Sequence, residues 1–257
     1  MSYNVKEKLN DYTKDIVKKY RRIAVLMPFY KTMATKCVAD FTVFVSRLYQ
    51  FGFNPSFFFL DQTNVVMARN ELAGYCYENH KGEVGPFDIV LWLDSDQTWG
   101  FNDFLNLLHR YDNNQEIKIL SGRYITRDIH KPKVCAFNNR HAGDLSEEPI
   151  YKNISPDSAG LQEVDGVGFG FVMMSPQVIV DMYDTHAKHQ FAFRQVGPKE
   201  LGGNMGEDLD WCNKAQKLGY KIYLDNDVMI GHHGLIAENS FMMWKRNVDN
   251  ARVGQDK

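Results

Sequence analysis

The stretch Ile89–Leu108, IVLWLDSDQTWGFNDFLNLL, joins an apolar run to two closely spaced acids and then to a helical pattern. Ile89–Leu93 has the continuous apolar character of a strand that is buried on both faces. Apolar residues recur at helical spacing after Gly100, so Asp94 and Asp96 lie on a strand–loop–helix junction. An open α/β sheet binds ligands at this edge, and two neighbouring carboxylates repel each other unless a cation lies between them. The pattern predicts a clamp for a divalent metal, and an acidic loop that caps a helix is the alternative.

Strand and helix patterns alternate along the chain on both sides of this junction. Apolar runs at Ile23–Met27, Phe57–Leu60 and Ile117–Leu120 predict further buried strands, with Phe57–Phe59 in the core, and amphipathic segments between them predict helices. This alternation is typical of an α/β fold with a parallel sheet and right-handed crossovers. The segment Val164–Met174, VDGVGFGFVMM, predicts a glycine-punctuated strand with close packing, and it is weak evidence for a phosphate-binding loop.

Composition limits the classes of protein to which the chain can belong. The 257 residues carry a net charge of −2 without a long Lys/Arg run, which argues against nucleic acid as the main partner but leaves a locally basic groove open. The four cysteines are scattered without a C-x-x-C pair, as expected for reduced thiols. No signal peptide or transmembrane segment is recognisable in the sequence. We therefore expect a cytoplasmic protein.

The order of patterns predicts one domain over residues 1–257, because no internal repeat, low-complexity tract or convincing linker interrupts it. Apolar residues on one helical face predict an N-terminal helix within residues 1–21 that packs on the domain. The regular alternation within residues 22–121 favours a nucleotide-binding half. The more irregular residues 122–257 favour an acceptor-binding half.

Acids or histidines follow the predicted strands or open a predicted helix in three separate places, namely Asp94/Asp96, Glu207/Asp208 and His232/His233. A hard divalent ion prefers carboxylate oxygens, tolerates an imidazole and leaves positions for phosphate and water. The combination suits Mg²⁺ or Mn²⁺ held against a nucleoside diphosphate. The alternatives are a helix N-terminal role for the Glu207/Asp208 pair and a structural role for one of the two histidines.

The motifs also occur in a recognisable order: PFY at 28–30, ARN at 68–70, LDSD at 93–96, VDGVGFGFVM from 164, GED at 206–208 and GHHG at 231–234. This order resembles small family-2-like glycosyltransferases of the GT-A fold from bacteria and phages, over about residues 22 to 235. The resemblance implies a Rossmann-like, mostly parallel sheet flanked by helices, with a smaller antiparallel sheet on the acceptor side. It also implies an enzyme that transfers a sugar from a nucleoside-diphosphate sugar, by expectation a UDP-sugar, to an acceptor hydroxyl.

The resemblance implies a role for each matching residue. It places the metal, Mn²⁺ or Mg²⁺, on Asp94, Asp96 and His232, with His233 as a competing candidate. The donor would be contacted through the base, ribose or phosphates by six residues: Pro28, Tyr30, Asp61, Arg69, Asp94 and Ser95. Glu207 and Asp208 would face the acceptor or the sugar. Asp208 would act as general base in an inverting transfer, whereas in a retaining transfer the two acids would position the substrate. For Arg69, a surface ion pair is the alternative.

The acceptor is expected to be a glycan, yet the compact chain also resembles phage members that glycosylate hydroxymethylated bases in DNA. The basic segment Arg123–Arg140, with Lys245 and Arg246, predicts phosphate contacts for DNA or, as the alternative, a solvated loop face. Two other classes remain in competition. A nucleotidyltransferase would need a Gly-rich loop where Pro28–Lys31 stands, and a non-catalytic nucleotide-sugar-binding module would not need all four acids.

Overall fold

We analysed the protein in a computed structural model, which describes residues 11–29, 33–61, 64–82, 85–127, 131–139, 150–195 and 204–232. The helices in these ranges are α1 (Asp11–Lys19), α2 (Thr35–Gln50), α3 (Val65–Lys81), α4 (Phe101–Asn113), α5 (Pro176–His186) and α6 (Glu207–Lys217), with a short 3-10 helix at Ala187–His189. The strands are β1 (Arg22–Phe29), β2 (Asn54–Asp61), β3 (Ile89–Leu93), β4 (Gln97–Thr98), β5 (Ile119–Arg123), β6 (Ala136–Asn139), β7 (Tyr151–Asn153), β8 (Leu161–Val164), β9 (Gly166–Val167), β10 (Phe171–Met174), β11 (Arg194–Gln195), β12 (Asn204–Met205), β13 (Ile222–Met229) and β14 (Gly231–His232).

A seven-stranded sheet in the order β2-β1-β3-β10-β5-β13-β8 forms the centre of the molecule. Strands β2, β1, β3, β5 and β13 run parallel, whereas β10 and β8 are antiparallel to their neighbours. Strands β7, β6 and β9 form a separate antiparallel sheet. The predicted α/β fold, mostly parallel with a smaller antiparallel sheet, is therefore confirmed.

The central sheet separates two hydrophobic clusters, because alternate residues of a strand point to opposite faces. In β3, Val90 and Trp92 pack towards α3, α5 and α6, whereas Ile89, Leu91 and Leu93 pack towards α1, α2 and α4. Burial on both faces explains why β3 reads as an uninterrupted apolar run. Helix α1 lies within the predicted N-terminal helix and contacts α4. None of the helices in the described ranges combines the length and the apolar character that crossing a bilayer requires.

Strand β2 differs from the prediction of a fully buried strand. It lies at the edge of the sheet, with β1 as its neighbour, so the side chain of Phe59 is 47% exposed and Phe57 and Phe58 are half-buried. A run of three phenylalanines predicted core, but an edge strand has less sheet around it to cover its side chains. Near the other edge of the sheet, β13 has an irregularity between Asp225 and Met229.

Sheet direction brings distant parts of the chain to one edge. The carboxyl ends of β1, β3, β5 and β13 all lie there because these strands are parallel. Strand β10 runs the opposite way between β3 and β5, so the residues just before it, Phe169 and Gly170, lie at the same edge. The backbone N–H of Asp94 donates to the carbonyl of Gly170 at 3.1 Å. Strand β14 pairs with β4 and returns His232 to the turn that carries Asp96.

Candidate active site

A cavity of about 580 Å³ lies at this edge of the sheet. Thirteen residues line it: Pro28, Phe29, Val65, Arg69, Asp94, Ser95, Asp96, Tyr124, Arg127, Phe169, Glu207, Asp208 and His232. Eight of the predicted site residues are among them. Asp61 ends β2 at an exposed position outside this lining, and Tyr30 and His233 lie outside the described residues. The tertiary fold therefore gathers most of the predicted residues in one crevice.

Arg69 holds two of the acids together from the first turns of α3. The side chain of Asn64 accepts hydrogen bonds from the N–H groups of Val66 and Met67 and so caps this helix. One nitrogen of the Arg69 guanidinium, Nη1, donates to Glu207 Oε1 at 2.6 Å, and Nη2 donates to both oxygens of Asp94 at 2.9 and 3.2 Å. The fork geometry of arginine allows this double contact.

Burial distinguishes Arg69 from an ordinary surface arginine. Its side chain is only 4% exposed, and its guanidinium lies over the rings of Phe169 and Phe191. Burial alone would lower the pKa of Arg69, but the carboxylates of Asp94 and Glu207 outweigh it and raise the pKa. Arg69 thus stays charged, and the alternative of a surface ion pair is wrong.

Asp96 faces a second set of partners. Its Oδ2 lies 3.0 Å from Arg127 Nη2 and 3.6 Å from His232 Nε2. Its Oδ1 is buried without a hydrogen-bond partner among the described residues. Burial alone would raise the pKa of Asp96, but His232 and Arg127 lower it below its usual value. The two acids of the D-S-D turn are therefore compensated by two different arginines.

His232 is oriented by the segment that follows β5. Its Nδ1 lies 2.8 Å from the carbonyl oxygen of Ile125, and the ring of Tyr124 meets its ring edge-on, with 5.4 Å between centroids. A carbonyl oxygen can only accept, so the proton of this bond sits on Nδ1. His232 consequently presents Nε2 towards Asp96.

Asp208 lies beside Glu207 in the first turn of α6 and lines the deep wall of the crevice. Burial and the charge of Glu207 raise its pKa to about 6, although Arg69 and the N–H of Leu209 act in the opposite direction. The Leu209 N–H donates to Asp208 Oδ1 at 2.8 Å. A carboxylate with this pKa is ionised at neutral pH yet can accept a proton there.

The glycines before β10 make room for side chains of the crevice. A Cβ at Gly168 would overlap the hydroxyl of Tyr124, and a Cβ at Gly170 would lie 2.6 Å from Gln97 Nε2 and 3.0 Å from Tyr124 Cζ. The N–H of Gly170 donates to the Tyr124 hydroxyl at 3.2 Å. The predicted single strand is therefore wrong, because Gly168 and Gly170 lie between β9 and β10, whereas the predicted close packing at these glycines is confirmed.

Sequence reasoning did not assign Tyr124, Phe169 or Phe29 to the site. Phe29 and Phe169 stand next to or within apolar segments, as core residues do, and Tyr124 lies outside the motifs, so no local signal assigns these three residues to the site. Arg127 was noted for its charge but not placed beside Asp96. Its contact depends on the path of the chain after β5.

Arg123 differs from the expectation that it contributes to a basic surface. It is buried, donates to the carbonyl oxygens of Ser158 and Pro156, and contacts the Asn226 side chain. It is therefore occupied in supporting the loop before β8 and is not exposed to phosphate. Lys131 and Lys133 are exposed, whereas His130, Arg140, Lys245 and Arg246 lie outside the described residues.

Comparison with known proteins gives a likeness of fold. The sequence matches no protein-family model and no curated protein. Its structure is similar to that of A197 from STIV, with a TM-score of 0.51 and 13% identity over 84% of this chain and 87% of that chain. It is also similar to GalNAc-T7 in complex with UDP, GalNAc and Mn²⁺, with a TM-score of 0.50 and 10% identity over 89% of this chain and 48% of that chain.

A weaker match joins the chain to CMP:2-keto-3-deoxy-manno-octonic acid synthetase in complex with CTP, with a TM-score of 0.42 and 12% identity. This match is too distant to carry an argument. The two better matches concern the fold alone, and the likeness to GalNAc-T7 confirms the Rossmann-like GT-A fold that the resemblance implies.

Proposed function

We propose that the protein is a glycosyltransferase that uses a nucleoside-diphosphate sugar and a divalent cation, Mn²⁺ or Mg²⁺. The observation that carries the proposal is the convergence of Arg69, Asp94, Asp96, Asp208 and His232 in one crevice at the carboxyl edge of a GT-A-type sheet. Ligands of open α/β sheets bind at this edge. The fold likeness to GalNAc-T7, whose structure contains UDP, GalNAc and Mn²⁺, supports the same proposal.

The charges that line the crevice also favour a cation together with an anionic donor. Four carboxylates and two guanidinium groups face the cavity, so the carboxylates are only partly compensated. A divalent cation would complete the compensation, and the cation with Arg127 would attract a diphosphate. A UDP-sugar is the donor that we expect.

Asp96 and His232 fit a cation best. His232 donates its Nδ1–H to a backbone carbonyl and presents Nε2, which is the usual arrangement of a metal-binding histidine. Asp96 Oδ1 lacks a hydrogen-bond partner in the described parts of the chain, and both oxygens of Asp94 retain a second lone pair beyond the bonds from Arg69.

No group of three His, Cys, Asp or Glu residues in the described ranges is close enough to hold a metal ion alone. Phosphate and water oxygens would therefore complete the coordination, as is usual for Mg²⁺. In this arrangement Asp96 and His232 would be the protein ligands, and Asp94, the third predicted ligand, would join them only after a shift of its side chain away from Arg69. The bound cation would neutralise the charge that develops on the leaving diphosphate.

Asp208 is the proposed general base. In an inverting transfer the acceptor oxygen bonds to the anomeric carbon while the bond to the diphosphate breaks, and the hydroxyl proton passes to Asp208. A pKa of about 6 leaves Asp208 ionised at neutral pH. In a retaining transfer, Asp208 and Glu207 would position the substrates instead. Arg69 would hold Asp94 and Glu207 at fixed positions beside the bound donor.

The acceptor is proposed to be a glycan hydroxyl, with hydroxymethylated DNA of a phage as the second candidate. The burial of Arg123 removes one of the cations that favoured DNA, whereas the exposed Lys131 and Lys133 remain. Binding to duplex DNA that falls steeply with salt and is weakened by Lys131→Glu with Lys133→Glu would favour the DNA acceptor.

The proposal is tested with a panel of nucleotide sugars and Mn²⁺, by measuring the release of nucleoside diphosphate and the shift in melting temperature. We expect one donor to stabilise the fold and to be turned over, and Asp96→Asn to reduce turnover about 100-fold. Asp184 lies on α5 and forms an exposed ion pair with Lys81 of α3, so Asp184→Asn makes the same change away from the crevice and serves as the matched control.

Four results would contradict the proposal. Full turnover by Asp96→Asn, or turnover that a chelator leaves unchanged, would exclude the metal site. Donor binding without release of diphosphate would indicate a non-catalytic binding module. Release of pyrophosphate from a nucleoside triphosphate and a sugar phosphate would indicate a nucleotidyltransferase.

A further inference from the structure

Arg127 lies at the end of a short antiparallel arm that leaves the sheet after β5. Ile125 pairs with Val134, and the N–H of Thr126 donates to the carbonyl of Lys133 at 2.8 Å. Arg127 directly follows the last of these backbone bonds. The arm therefore fixes the start of the Arg127 side chain while leaving its guanidinium to reach across the mouth of the crevice.

The arm supplies three contacts to the Asp96–His232 pair. The Tyr124 ring packs against the imidazole, the Ile125 carbonyl accepts from Nδ1, and the Arg127 guanidinium pairs with Asp96. The first two contacts fix the direction of the imidazole. The third contact instead places a positive charge 3.0 Å from Asp96 Oδ2, the same oxygen that the imidazole Nε2 approaches to 3.6 Å.

The ion pair between Arg127 and Asp96 can separate easily. Its side chain is 57% exposed, and an ion pair with this exposure is weak because water and salt screen it. Arg69, in contrast, is buried among two acids and two rings and cannot leave its partners without exposing charges to an apolar environment.

We infer that Arg127 competes with the divalent cation for Asp96, and that a bound diphosphate draws Arg127 away and so makes cation and nucleotide bind together. The inference rests on the proposed function for the identity of the anion. A cation held between Asp96 and His232 Nε2 would lie against Oδ2, the oxygen that Nε2 approaches, so it would repel the Arg127 guanidinium that contacts the same oxygen. A diphosphate offers Arg127 a bidentate partner of higher charge than a single carboxylate.

This competition has a thermodynamic consequence. If the nucleotide removes the competitor, the cation binds more tightly in the presence of nucleotide, and by reciprocity the nucleotide binds more tightly in the presence of the cation by the same factor. Arg127 would thus weaken cation binding to the free protein and strengthen it in the complex.

The experiment measures Mn²⁺ binding to the purified full chain by electron paramagnetic resonance, first without nucleotide and then with UDP. The variants are Arg127→Gln and, as a matched control, Lys133→Gln, which removes the same charge from an exposed position on the same arm. Asp96→Asn identifies the Mn²⁺ signal that belongs to this site. Isothermal titration of UDP in the presence of Mn²⁺ completes the cycle.

We expect Arg127→Gln to bind Mn²⁺ about three- to tenfold more tightly without UDP and to bind UDP more weakly with Mn²⁺. The coupling factor between the two ligands should fall towards one, while Lys133→Gln keeps the coupling of the unmodified chain. Unchanged or weaker Mn²⁺ binding by Arg127→Gln, or no Mn²⁺ bound at Asp96 in any variant, would overturn the inference.

The two proposals fail in different ways. If Arg127→Gln gains Mn²⁺ affinity but no nucleoside diphosphate binds or is released, Arg127 competes for Asp96 while the glycosyltransferase proposal is wrong. If a UDP-sugar is turned over with Mn²⁺ but Arg127→Gln and the unmodified chain bind Mn²⁺ equally well, the proposed function is correct and the proposed competition for Asp96 is wrong.

Discussion

Arg69 and Arg127 each pair with one acid of the same D-S-D turn, yet their surroundings are opposite. Arg69 is 4% exposed and bridges Asp94 to Glu207, whereas Arg127 is 57% exposed and pairs with Asp96. A buried pair holds its geometry because separation leaves charges without water, whereas an exposed pair separates easily. One side of the crevice is therefore fixed, and the other side can exchange its partners.

The largest effect is expected when each of the two guanidinium groups is removed in turn. We expect Arg69→Leu to lower the free energy of unfolding by about 3 to 5 kcal/mol, because it leaves two largely buried carboxylates without a partner. Arg127→Leu should lower it by less than about 1 kcal/mol. Urea unfolding of the two variants at neutral pH measures both values. Equal losses would show that exposure does not distinguish the two pairs.

Asp208 provides a third case, because no guanidinium contacts this acid among the described residues. Its pKa is about 6 in the folded protein, above the usual value for aspartate, so ionisation on raising the pH destabilises the fold between these two values. We expect Asp208→Asn to raise the free energy of unfolding by about 2 kcal/mol at pH 7.5 and by almost nothing at about pH 4. The same variant should lose transferase activity if Asp208 is the base.

Asp210 gives the matched control for this prediction. It lies in the same first turn of α6 but is fully buried against Lys214 and Arg194. Removing its charge should therefore lower the free energy of unfolding at neutral pH. A stabilising Asp210→Asn, or a destabilising Asp208→Asn, would contradict the contrast between a paired and an unpaired acid.

The third test concerns the support beneath His232. Gly168→Ala places a methyl group against the Tyr124 hydroxyl, and overpacking of this kind costs about 1 to 3 kcal/mol. Thermal unfolding should show a smaller cost when the change is made in Tyr124→Phe, which lacks the hydroxyl. The same cost in both backgrounds would mean that the methyl group meets a different neighbour.

Much of the fold is predictable because it is local. Ile89–Leu93 reads as a buried strand, Pro176 marks the first residue of α5, and Glu207 marks the first residue of α6, all as the structure has them. Strand β2 was expected in the core and lies at an edge. Position within a sheet depends on which strands pair, and the apolar pattern of one strand does not contain that information.

The candidate site divides in the same way. The acids at Asp94, Asp96 and Asp208 are visible as charges next to strand and helix boundaries, and the order of motifs predicts their neighbourhood. The partners of these acids are not visible. Arg123 and Arg127 are four positions apart in one basic segment, yet the first is buried against backbone carbonyls and the second is exposed beside Asp96.

The amino-acid sequence is enough to identify the strands and helices and the acids that stand at their ends. Hydrophobic periodicity and the boundaries of strands are properties of neighbouring residues. The tertiary structure decided which charges meet. Arg69 contacts Asp94 and Glu207 across 25 and 138 residues of chain. Parallel strands and the reversed β10 bring these segments to one edge, where burial fixes Arg69 and exposure leaves Arg127 free to exchange partners.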